Sequence, residues 1–311
     1  MHELDSLLTH GNNSRSNILA GPARPLGPLY LSNVVLYSGG MPELPEVETT
    51  ARYLRERIVK QRVLRSQVHW PRTVATHSVK DFSICLQGAL VTSVVRRGKF
   101  VGIVLQSDRP LYLFIHLRMS GSLDVIAGDS EVAPHDRVIL FFENGKSLRF
   151  NDTRKFGRMY LCDSPELVVG MLGVEPLSDD FSPEVLYALT RDRKTRIKAL
   201  LLDQTVIAGL GNIYVDESLW KSRIHPCAPA HSLKHTQCQR LYEAITSTLD
   251  EAITLAGTDF GDGVVDDGMY SPVVYGRDDQ PCSRCQAKIK KTRVQQRGTH
   301  FCPRCQRLPR L

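Results

Sequence analysis

The chain has 311 residues, 42% of them hydrophobic, and a formal net charge of +7 at pH 7. This length predicts two structural units and a small appendage, and no apolar run approaches the roughly 18 residues of a membrane span. The N-terminus also lacks the basic and then apolar order of a secretory signal, so these features exclude membrane and exported proteins and predict a soluble, cytoplasmic protein without a membrane partner.

Residues 1–40 differ in composition from the rest of the chain. They contain four charged residues, while Asn, Ser, Gly and Pro recur without a period. Such a segment buries too little apolar surface to offset the entropy that it would lose on ordering. We therefore expect residues 1–41 to be disordered or to be an extension that is absent from the mature protein.

A helix is predicted to begin just after Pro42, with Pro45 in its first turn. The apolar residues that recur at helical spacing are Val47, Ala51, Leu54 and Ile58. Strand-like segments follow at 89–95, 100–105, 111–116, 138–142 and 147–150. The Asn144-Gly145 pair between the last two is a strong hairpin signal. These patterns predict a domain over residues 42–165, built from a leading helix and an antiparallel β-sandwich.

Beyond residue 165 the pattern becomes helical and predicts a helical domain over residues 176–260. Ser182-Pro183 is typical of a helix cap followed by a first-turn proline. The glycine-rich turn from Gly209 to Asn212 leads into another helix. Its glycines serve either a turn that needs positive φ or a close approach of phosphate to the amides of the helix start. Next to a basic C-terminus we favour a clamp for the DNA backbone.

Four of the eight cysteines form two C-x-x-C pairs, Cys282 with Cys285 and Cys302 with Cys305, separated by sixteen residues. This spacing is typical of a zinc ribbon, in which four thiolates surround one ion and the intervening chain forms a hairpin. Disulfides are the alternative, but they would be unusual in a chain without an export signal. We predict one structural zinc in a zinc finger over residues 274–311.

The same C-terminal segment is strongly basic. From Gln280 to Leu311 it has nine Lys or Arg residues and no acidic residue. The alternatives are a solvated basic tail and a surface for a polyanionic partner. Beside a zinc finger, we favour the polyanion.

Two further segments place an apolar side chain beside cations directly after a predicted strand. Residues 116–121 carry Met119, and residues 152–157 carry Phe156. Proteins that open a duplex insert such side chains between bases, although a methionine is more often part of a core. Lys99 lies between two strand-like segments, where a solvated hairpin lysine is the alternative to a functional one.

Five of these features stand in the order found in formamidopyrimidine-DNA glycosylases, and the chain resembles that family from Met41 to Cys305. The features are Pro42-Glu43-Leu44-Pro45-Glu46, residues 116–121, residues 152–157, the turn at 209–212 and the terminal cysteine pairs. The resemblance implies an α+β multidomain fold with an N-terminal helix and β-sandwich, a helix-two-turn-helix domain and a zinc-finger hairpin. It implies a bacterial, nucleoid-associated enzyme that removes 8-oxoguanine and formamidopyrimidines from double-stranded DNA and then cuts the abasic strand. We expect a monomer, since no heptad seam is evident.

By resemblance, Pro42 attacks C1′ of the damaged nucleotide as a free N-terminal amine, and Glu43 acts as general acid and base at the sugar. Reference pKa values of about 8 for an α-amino group and about 10.4 for lysine leave far more of the terminal amine neutral at pH 7. The resemblance assigns Lys99 to proton donation in β-elimination and Arg297 to δ-elimination. It makes Glu46 a supporting carboxylate.

The resemblance also assigns residues to DNA contact. They are His135, Arg154, Arg193, Lys198, Asn212 and Arg297. Met119, Arg154 and Phe156 match the residues that fill the gap left by the everted base. Arg154 would face the orphaned base and favour cytosine, because a guanidinium can donate to its acceptors.

Two of the departures from the family bear on the predicted function. Pro42 follows 41 residues, and a proline nitrogen within a peptide bond has no usable lone pair, so we hypothesise that translation starts at Met41 and that Met41 is removed. The stretch from Gly257 to Tyr275, where the family has its loop over the oxidised base, is short and leaves the lesion ranking open. Its acidic residues are Asp259, Asp262, Asp266 and Asp267.

Two alternative functions stay open. An enzyme of the related endonuclease VIII branch would prefer oxidised pyrimidines, although its opening motif and wedge residues usually differ from those of this chain. A non-catalytic, zinc-containing DNA-binding protein would explain the blocked Pro42. It would not explain why Glu43, Lys99 and Arg297 occur together with it.

Overall fold

The computed structural model describes residues 41–258 and 268–309. The predictions for residues 1–40 fall outside this part of the chain, as do those for the acidic residues Asp259, Asp262, Asp266 and Asp267. Within the described residues, no helix combines the length and the apolar character needed to cross a bilayer.

The first helix, α1 (Leu44–Ile58), begins where the sequence predicts it. Pro45 lies in the first turn, where its missing N–H costs no hydrogen bond. The residues predicted for its apolar face, Val47, Ala51, Leu54 and Ile58, are all buried in the sandwich core. Leu44 belongs instead to the core of the helical domain. The helix start therefore lies at the seam between the two cores.

Two four-stranded antiparallel sheets form the predicted sandwich. In chain order the elements are β1 (Val63–Val68), α2 (Val79–Leu86), β2 (Leu90–Arg97), β3 (Phe100–Gln106), β4 (Pro110–His116), β5 (Gly121–Ala127), β6 (Asp136–Phe142), β7 (Lys146–Asp152) and β8 (Arg158–Cys162). One sheet has the order β1-β6-β7-β5 and the other the order β2-β3-β4-β8. The hairpin predicted at Asn144-Gly145 joins β6 and β7, with Gly145 at φ +75°.

The helical part of the chain surrounds a second core. Its elements are α4 (Pro183–Arg191), α5 (Ile197–Leu202), α6 (Asn212–Lys221) and α7 (His235–Thr254), and they follow the short α3 (Glu166–Val169), which packs against β8. The predicted cap of α4 is confirmed, because the Ser182 hydroxyl accepts the Val185 N–H at 3.3 Å. Tyr214 of α6 and Leu241 of α7 are fully buried in this core.

The C-terminal strands β9 (Lys290–Val294) and β10 (Arg297–Phe301) form the predicted antiparallel hairpin. Gln295 and Gln296, which connect them, have φ values of +45° and +61°. Positive φ at both central residues matches the twist of a two-residue hairpin turn. The hairpin region packs against Trp220 at the end of α6. The predicted α+β fold with a terminal hairpin is confirmed.

Candidate active site

The start of α1 lies against the start of α6. Pro42 and Glu43 are buried at this contact. The Glu43 carboxylate accepts the backbone N–H groups of Ile213 at 3.0 Å and of Tyr214 at 3.3 Å. These amides have no partner within their own helix, and the helix dipole favours negative charge there. The fold therefore fixes Glu43 beside Pro42 through the end of another helix.

The glycine-rich turn before α6 makes room for α1. A Cβ on Gly211 would lie 2.2 Å from Cδ of Glu43, and one on Gly209 would lie 2.7 Å from the Leu44 side chain. Gly209 has φ +86°, and its carbonyl accepts the Leu44 N–H at 3.1 Å. Two first-turn amides of α6 therefore hold the Glu43 carboxylate, and contact of the turn with a DNA phosphate stays a prediction.

The protonation of Glu43 is tuned by its surroundings. Burial raises the pKa of Glu43 to about 7, while the charge of Lys99 opposes this change and that of Glu46 adds to it. A carboxyl group that is half protonated near neutral pH can donate a proton in one step and accept one in another. Glu43 therefore has the property that a general acid and base needs.

Glu46 fixes the other side of this contact. Its Oε2 accepts the Glu43 N–H at 2.9 Å, and its Oε1 accepts the Tyr214 hydroxyl at 2.5 Å and the Thr258 N–H at 2.9 Å. Burial and the neighbouring Glu46 carboxylate raise the pKa of Tyr214 well above its ordinary value. Tyr214 therefore remains a hydrogen-bond donor, and Glu46 connects α1, α6 and the end of α7.

Lys99 occupies the turn between β2 and β3, and its side chain is buried. Burial lowers the pKa of Lys99, the Glu43 carboxylate partly offsets this effect, and the Arg297 charge lowers the pKa further. The charges of Glu43 and Arg297 thus both act on Lys99. An amine with a lowered pKa exchanges protons more readily near neutral pH.

Glu175, in the connection between α3 and α4, holds the turn that carries Lys99. Its carboxylate accepts Arg96 Nη1 at 2.6 Å, Arg97 Nη1 at 2.8 Å and the Gly98 N–H at 2.5 Å. Burial by itself would raise the pKa of Glu175, but the two guanidinium groups outweigh this effect and lower it. Glu175 therefore stays ionised and fixes the backbone next to Lys99.

Arg297 is exposed at the start of β10, and the hairpin that carries it is tied to the helical part. Lys198 Nζ donates to Asp216 Oδ1 at 2.7 Å and to the Gly298 carbonyl at 2.9 Å. Asp216 Oδ2 accepts the His300 N–H at 2.8 Å. The Lys198 side chain is fully buried, and its two hydrogen bonds connect α5 and α6 with the hairpin. Its contact with DNA stays a prediction.

The loops at 116–121 and 152–157, which we call the wedge loops, are joined to each other. The Ser120 hydroxyl of the first loop accepts the Arg154 N–H of the second at 3.1 Å. Met119 is 37% exposed and Phe156 is 47% exposed, which is unusual for large apolar side chains. The Arg154 guanidinium carbon lies 4.9 Å from the centre of the Phe156 ring. The apolar tips are therefore available to a partner.

The other predicted DNA contacts lie elsewhere. His135 is exposed, with its Nδ1 3.0 Å from Arg137 Nη2. Arg193 is exposed just after α4, and Asn212 is the half-buried first residue of α6. Contact of these residues with DNA stays a prediction.

The four paired cysteines converge on one point. Their Sγ atoms all lie within 4.8 Å of one another. Thiolates bound at about 2.3 Å around one tetrahedral zinc ion would be roughly 3.8 Å apart, whereas a disulfide requires about 2.05 Å. The Sγ distances of 4.0 Å for Cys282–Cys305 and 3.4 Å for Cys285–Cys302 fit the zinc site. The four cysteines form one structural zinc site, which has no ligand position left for catalysis.

The sequence analysis missed several residues that shape the site. They are Tyr214, Asp216 and Glu175. Tyr214 and Asp216 lie within an apolar helical pattern, where they resemble ordinary helix residues, and Glu175 lies in a connection without periodicity. The one available signal was Asp216, an acidic residue among apolar residues of a helix, because a buried acid needs a partner.

Comparison with known proteins finds the same architecture. The family models described as formamidopyrimidine-DNA glycosylase N-terminal domain, formamidopyrimidine-DNA glycosylase H2TH domain and zinc finger found in FPG and IleRS match residues 41–159, 172–262 and 279–308. The chain is 44% identical over 277 residues to the formamidopyrimidine-DNA glycosylase of Brevibacillus brevis, covering 86% of this chain and 99% of that protein.

Solved structures of the Lactococcus lactis protein Fpg (MutM) are similar to this chain. Its complex with DNA that contains N7-benzyl-Fapy-dG gives a TM-score of 0.79 at 36% identity, covering 86% of this chain and 100% of that chain. Its complex with DNA that contains an oxidised pyrimidine gives the same TM-score of 0.79, the same 36% identity and the same coverage of 86% and 100%.

Proposed function

The chain belongs to the formamidopyrimidine-DNA glycosylase family, and we propose that it attacks damaged DNA with the nitrogen of Pro42. It is a base excision repair glycosylase for oxidised purines, with the AP lyase activity of its family. The observation that carries the proposal is the burial of Pro42 beside Glu43, whose pKa of about 7 suits proton transfer. Lys99 and Arg297 influence the same group of charges.

In the proposed reaction, the neutral Pro42 nitrogen bonds to C1′ and the bond from C1′ to the base breaks. The base leaves with the electron pair and takes up a proton. The Pro42 nitrogen then loses its remaining proton, Glu43 protonates the sugar ring oxygen, and the ring opens to an iminium ion. The iminium makes the C2′ proton acidic, so its removal expels the 3′ phosphate, and a second elimination expels the 5′ phosphate. Lys99 donates a proton in the first elimination, and Arg297 assists the second, in which its guanidinium stabilises the charge of the leaving phosphate.

The proposal requires a free amine at Pro42. Translation from Met41 followed by removal of Met41 would provide it. Two findings support this start: the family match begins at residue 41, and the match to the Brevibacillus relative covers 99% of that protein but 86% of this chain. Intact-mass analysis of the native protein that finds residues 1–40 attached would contradict it.

Borohydride trapping on an 8-oxoguanine:cytosine duplex tests the nucleophile. The full 311-residue chain and a chain begun at Met41 are compared, and the crosslinked peptide is mapped. We expect a crosslink at Pro42 in the shorter chain only, and none on undamaged duplex. A crosslink at Lys99, the other amine of the site, would overturn the proposal. An absence of trapping despite intact DNA binding would do the same.

On the DNA side, the exposed wedge loops supply Met119, Arg154 and Phe156 to the gap left by the everted base. The remaining backbone contacts come from His135, Arg193, Lys198, Asn212 and Arg297. Binding through the lysine and arginine residues of this set releases counterions and falls steeply with salt. Equal affinity at about 50 and about 200 mM salt would contradict this assignment.

Oxidised pyrimidines are a second candidate substrate. The Lactococcus lactis relative has been solved with DNA that contains an oxidised pyrimidine, which favours this extension. Competition between an 8-oxoguanine duplex and an oxidised-pyrimidine duplex for the chain begun at Met41 ranks the two. We expect the purine lesion to be excised first, and a reversed order would assign the chain an endonuclease VIII-like preference.

Three parts of the chain divide the work in this proposal. Residues 42–165 form the catalytic sandwich domain, 176–260 the helix-two-turn-helix domain and 274–311 the zinc finger. The enzyme acts as a monomer at the bacterial nucleoid, where its substrate lies. Sedimentation of the chain begun at Met41, alone and with one duplex, tests the monomer.

A further inference from the structure

One buried carboxylate, that of Asp152 at the end of β7, accepts hydrogen bonds from both wedge loops. Asp152 Oδ1 accepts the Ser120 hydroxyl at 2.5 Å and the Arg154 N–H at 3.1 Å. Asp152 Oδ2 accepts the Gly157 N–H at 2.7 Å. Ser120 belongs to the first wedge loop, while Arg154 and Gly157 belong to the second. A single side chain therefore connects the two loops.

The ring of Phe150 is a second shared support. Phe150 precedes Asp152 by two residues in β7, and alternate residues of a strand share a face. A Cβ on Gly121 would lie 3.0 Å from the Phe150 ring, and one on Gly157 would lie 2.3 Å from it. Each wedge loop thus ends in a glycine that passes closely over the same ring.

The two loops also share a backbone feature. Arg118 and Lys155 have φ values of +60° and +61°, and each directly precedes the exposed apolar residue of its loop, Met119 or Phe156. A non-glycine residue in this region costs on the order of 1 kcal/mol and persists only where the surrounding contacts fix it. The contacts with Asp152 and Phe150 are shared by the two loops.

We propose that Asp152 is a positioning residue that holds the two wedge loops in one geometry, so that Met119, Arg154 and Phe156 enter the duplex together. This inference rests on the wedge role proposed above for those three residues. Asp152 is buried and acts through the two loops. Its loss would impair eversion of the damaged base more than the chemistry at Pro42.

The test compares two rates in the chain begun at Met41. The first is excision of 8-oxoguanine opposite cytosine, and the second is strand cleavage at a preformed abasic site. An abasic site has no base to unstack and evert, so its cleavage depends less on the wedge. Asp152→Asn keeps one oxygen acceptor and loses the other, so one of the two backbone N–H groups loses its partner. Ser120→Ala is a milder variant that removes only the hydroxyl.

The neighbouring strand β5 offers matched controls. Ser122 is buried, and its hydroxyl makes no hydrogen bond within the described residues, so Ser122→Ala matches Ser120→Ala. Asp124 is a buried acid that accepts the Tyr53 hydroxyl and makes no recorded bond to the wedge loops in the described chain, so Asp124→Asn matches Asp152→Asn.

We expect the ratio of excision to abasic cleavage to fall about tenfold or more in Asp152→Asn and Ser120→Ala, the scale of a small misplacement. In both controls it should stay within about twofold of the unchanged protein. The preference for cytosine opposite the lesion should also weaken, because the Arg154 backbone loses its support. If both rates fall together and that preference is unchanged, Asp152 has only a structural role and the proposal is wrong.

Met119→Ala separates this inference from the function on which it rests. If Met119→Ala lowers the ratio while Asp152→Asn and Ser120→Ala do not, the positioning role is wrong and the wedge function stands. If none of the three variants lowers the ratio, the wedge function is wrong and the positioning role falls with it.

Discussion

Two buried carboxylates, Glu43 in the active site and Asp152 beneath the wedge loops, make similar hydrogen bonds with different consequences. Each accepts two backbone N–H groups, Glu43 from the start of α6 and Asp152 from the second wedge loop. Glu43 also lies near the charges of Lys99 and Glu46, and its pKa is raised to about 7. The donors to the Asp152 carboxylate are instead two backbone N–H groups and one hydroxyl.

The surroundings of the two groups explain the difference. The active site gathers ionisable side chains, so its properties depend on which of them carries a proton. The wedge region gathers backbone amides above an aromatic ring, so its properties depend on shape. Substitutions in the active site should therefore change the rate of chemistry, and substitutions in the wedge region should change which base pair is opened.

Glu43→Gln should have the largest effect and tests the chemical half of this comparison. The amide keeps an oxygen for the start of α6 but cannot exchange a proton, and general acid–base catalysis contributes on the order of 10²- to 10⁴-fold. We expect single-turnover excision to fall about a thousandfold while duplex binding is unchanged. Glu56→Gln, on the exposed side of the same helix, is the control. A matching loss of binding would show that Glu43 is structural.

The pH dependence of the free energy of unfolding tests whether the folded protein raises the pKa of Glu43. Its folded pKa of about 7 exceeds the ordinary value of 4.5, so the folded protein keeps the proton to higher pH than the unfolded chain does. The free energy of unfolding should therefore decrease as pH rises from about 4.5 to about 7. The difference between the two values corresponds to about 3 kcal/mol.

The Glu43→Gln variant has no carboxyl group at this position and therefore cannot ionise there. In the full 311-residue chain, where Pro42 carries no charge, we expect the variant to be more stable than the unchanged protein by up to about 3 kcal/mol at pH 8. Near pH 5 most of this gain should vanish. Denaturant unfolding at both pH values measures it, and an equal difference at the two values would contradict the pKa argument.

The sequence predictions succeeded where the residues that determine a feature are close together in the sequence. The start of α1 and the Asn144-Gly145 hairpin depend on neighbouring residues and were confirmed. The strands that escaped prediction, β1, β5 and β8, all lie at sheet edges. Val63 is the one buried residue of β1, and the buried residues of β5 include Gly121, Ser122 and Asp124, so neither strand has a clear apolar alternation.

The active site was harder to predict because its contacts are distant in sequence. Glu43 and Ile213 are separated by 170 positions. The Gly209 to Asn212 turn carried a visible signal, but a glycine that admits a carboxylate is indistinguishable in sequence from one that admits a phosphate. The resemblance assigned Lys198 to DNA contact, and only the fold reveals that its side chain pairs with Asp216.

Zinc removal should have an intermediate effect and tests whether the hairpin belongs to the chemical region. Without the ion the hairpin should lose its fold, and with it the position of Arg297. Loss of one charge-assisted contact costs about 1.5–3 kcal/mol, so affinity for damaged duplex should fall about tenfold to a hundredfold. Chelation followed by readdition of zinc measures the change.

Trp220 reports on the same event. Its Nε1 donates to Cys282 Sγ at 3.4 Å, and the Arg284 guanidinium lies 3.6 Å from its ring. With Trp70→Phe as background, Trp220 is the one remaining tryptophan of the chain. Its fluorescence should change with chelation and recover with zinc. Unchanged fluorescence and affinity would show that the hairpin folds without the ion.

Arg154→Ala should have the smallest effect and tests the wedge half of the comparison. The substitution removes the guanidinium beside Phe156 but leaves the backbone N–H that Asp152 accepts. A good contact to a base edge is worth about 1–3 kcal/mol, so the preference for 8-oxoguanine opposite cytosine over adenine should fall about tenfold. Arg109→Ala, at an exposed arginine elsewhere in the sandwich, is the control.

Substitutions in the two regions should have opposite effects on excision and on the choice of opposite base. Arg154→Ala should change the choice of opposite base and leave cleavage of a preformed abasic site intact, because that substrate has no damaged base to evert. Glu43→Gln should slow excision equally opposite cytosine and adenine. If Glu43→Gln also changed the choice of opposite base, base eversion and bond breaking would be coupled, and the division into a chemical region and a shape-dependent region would be wrong.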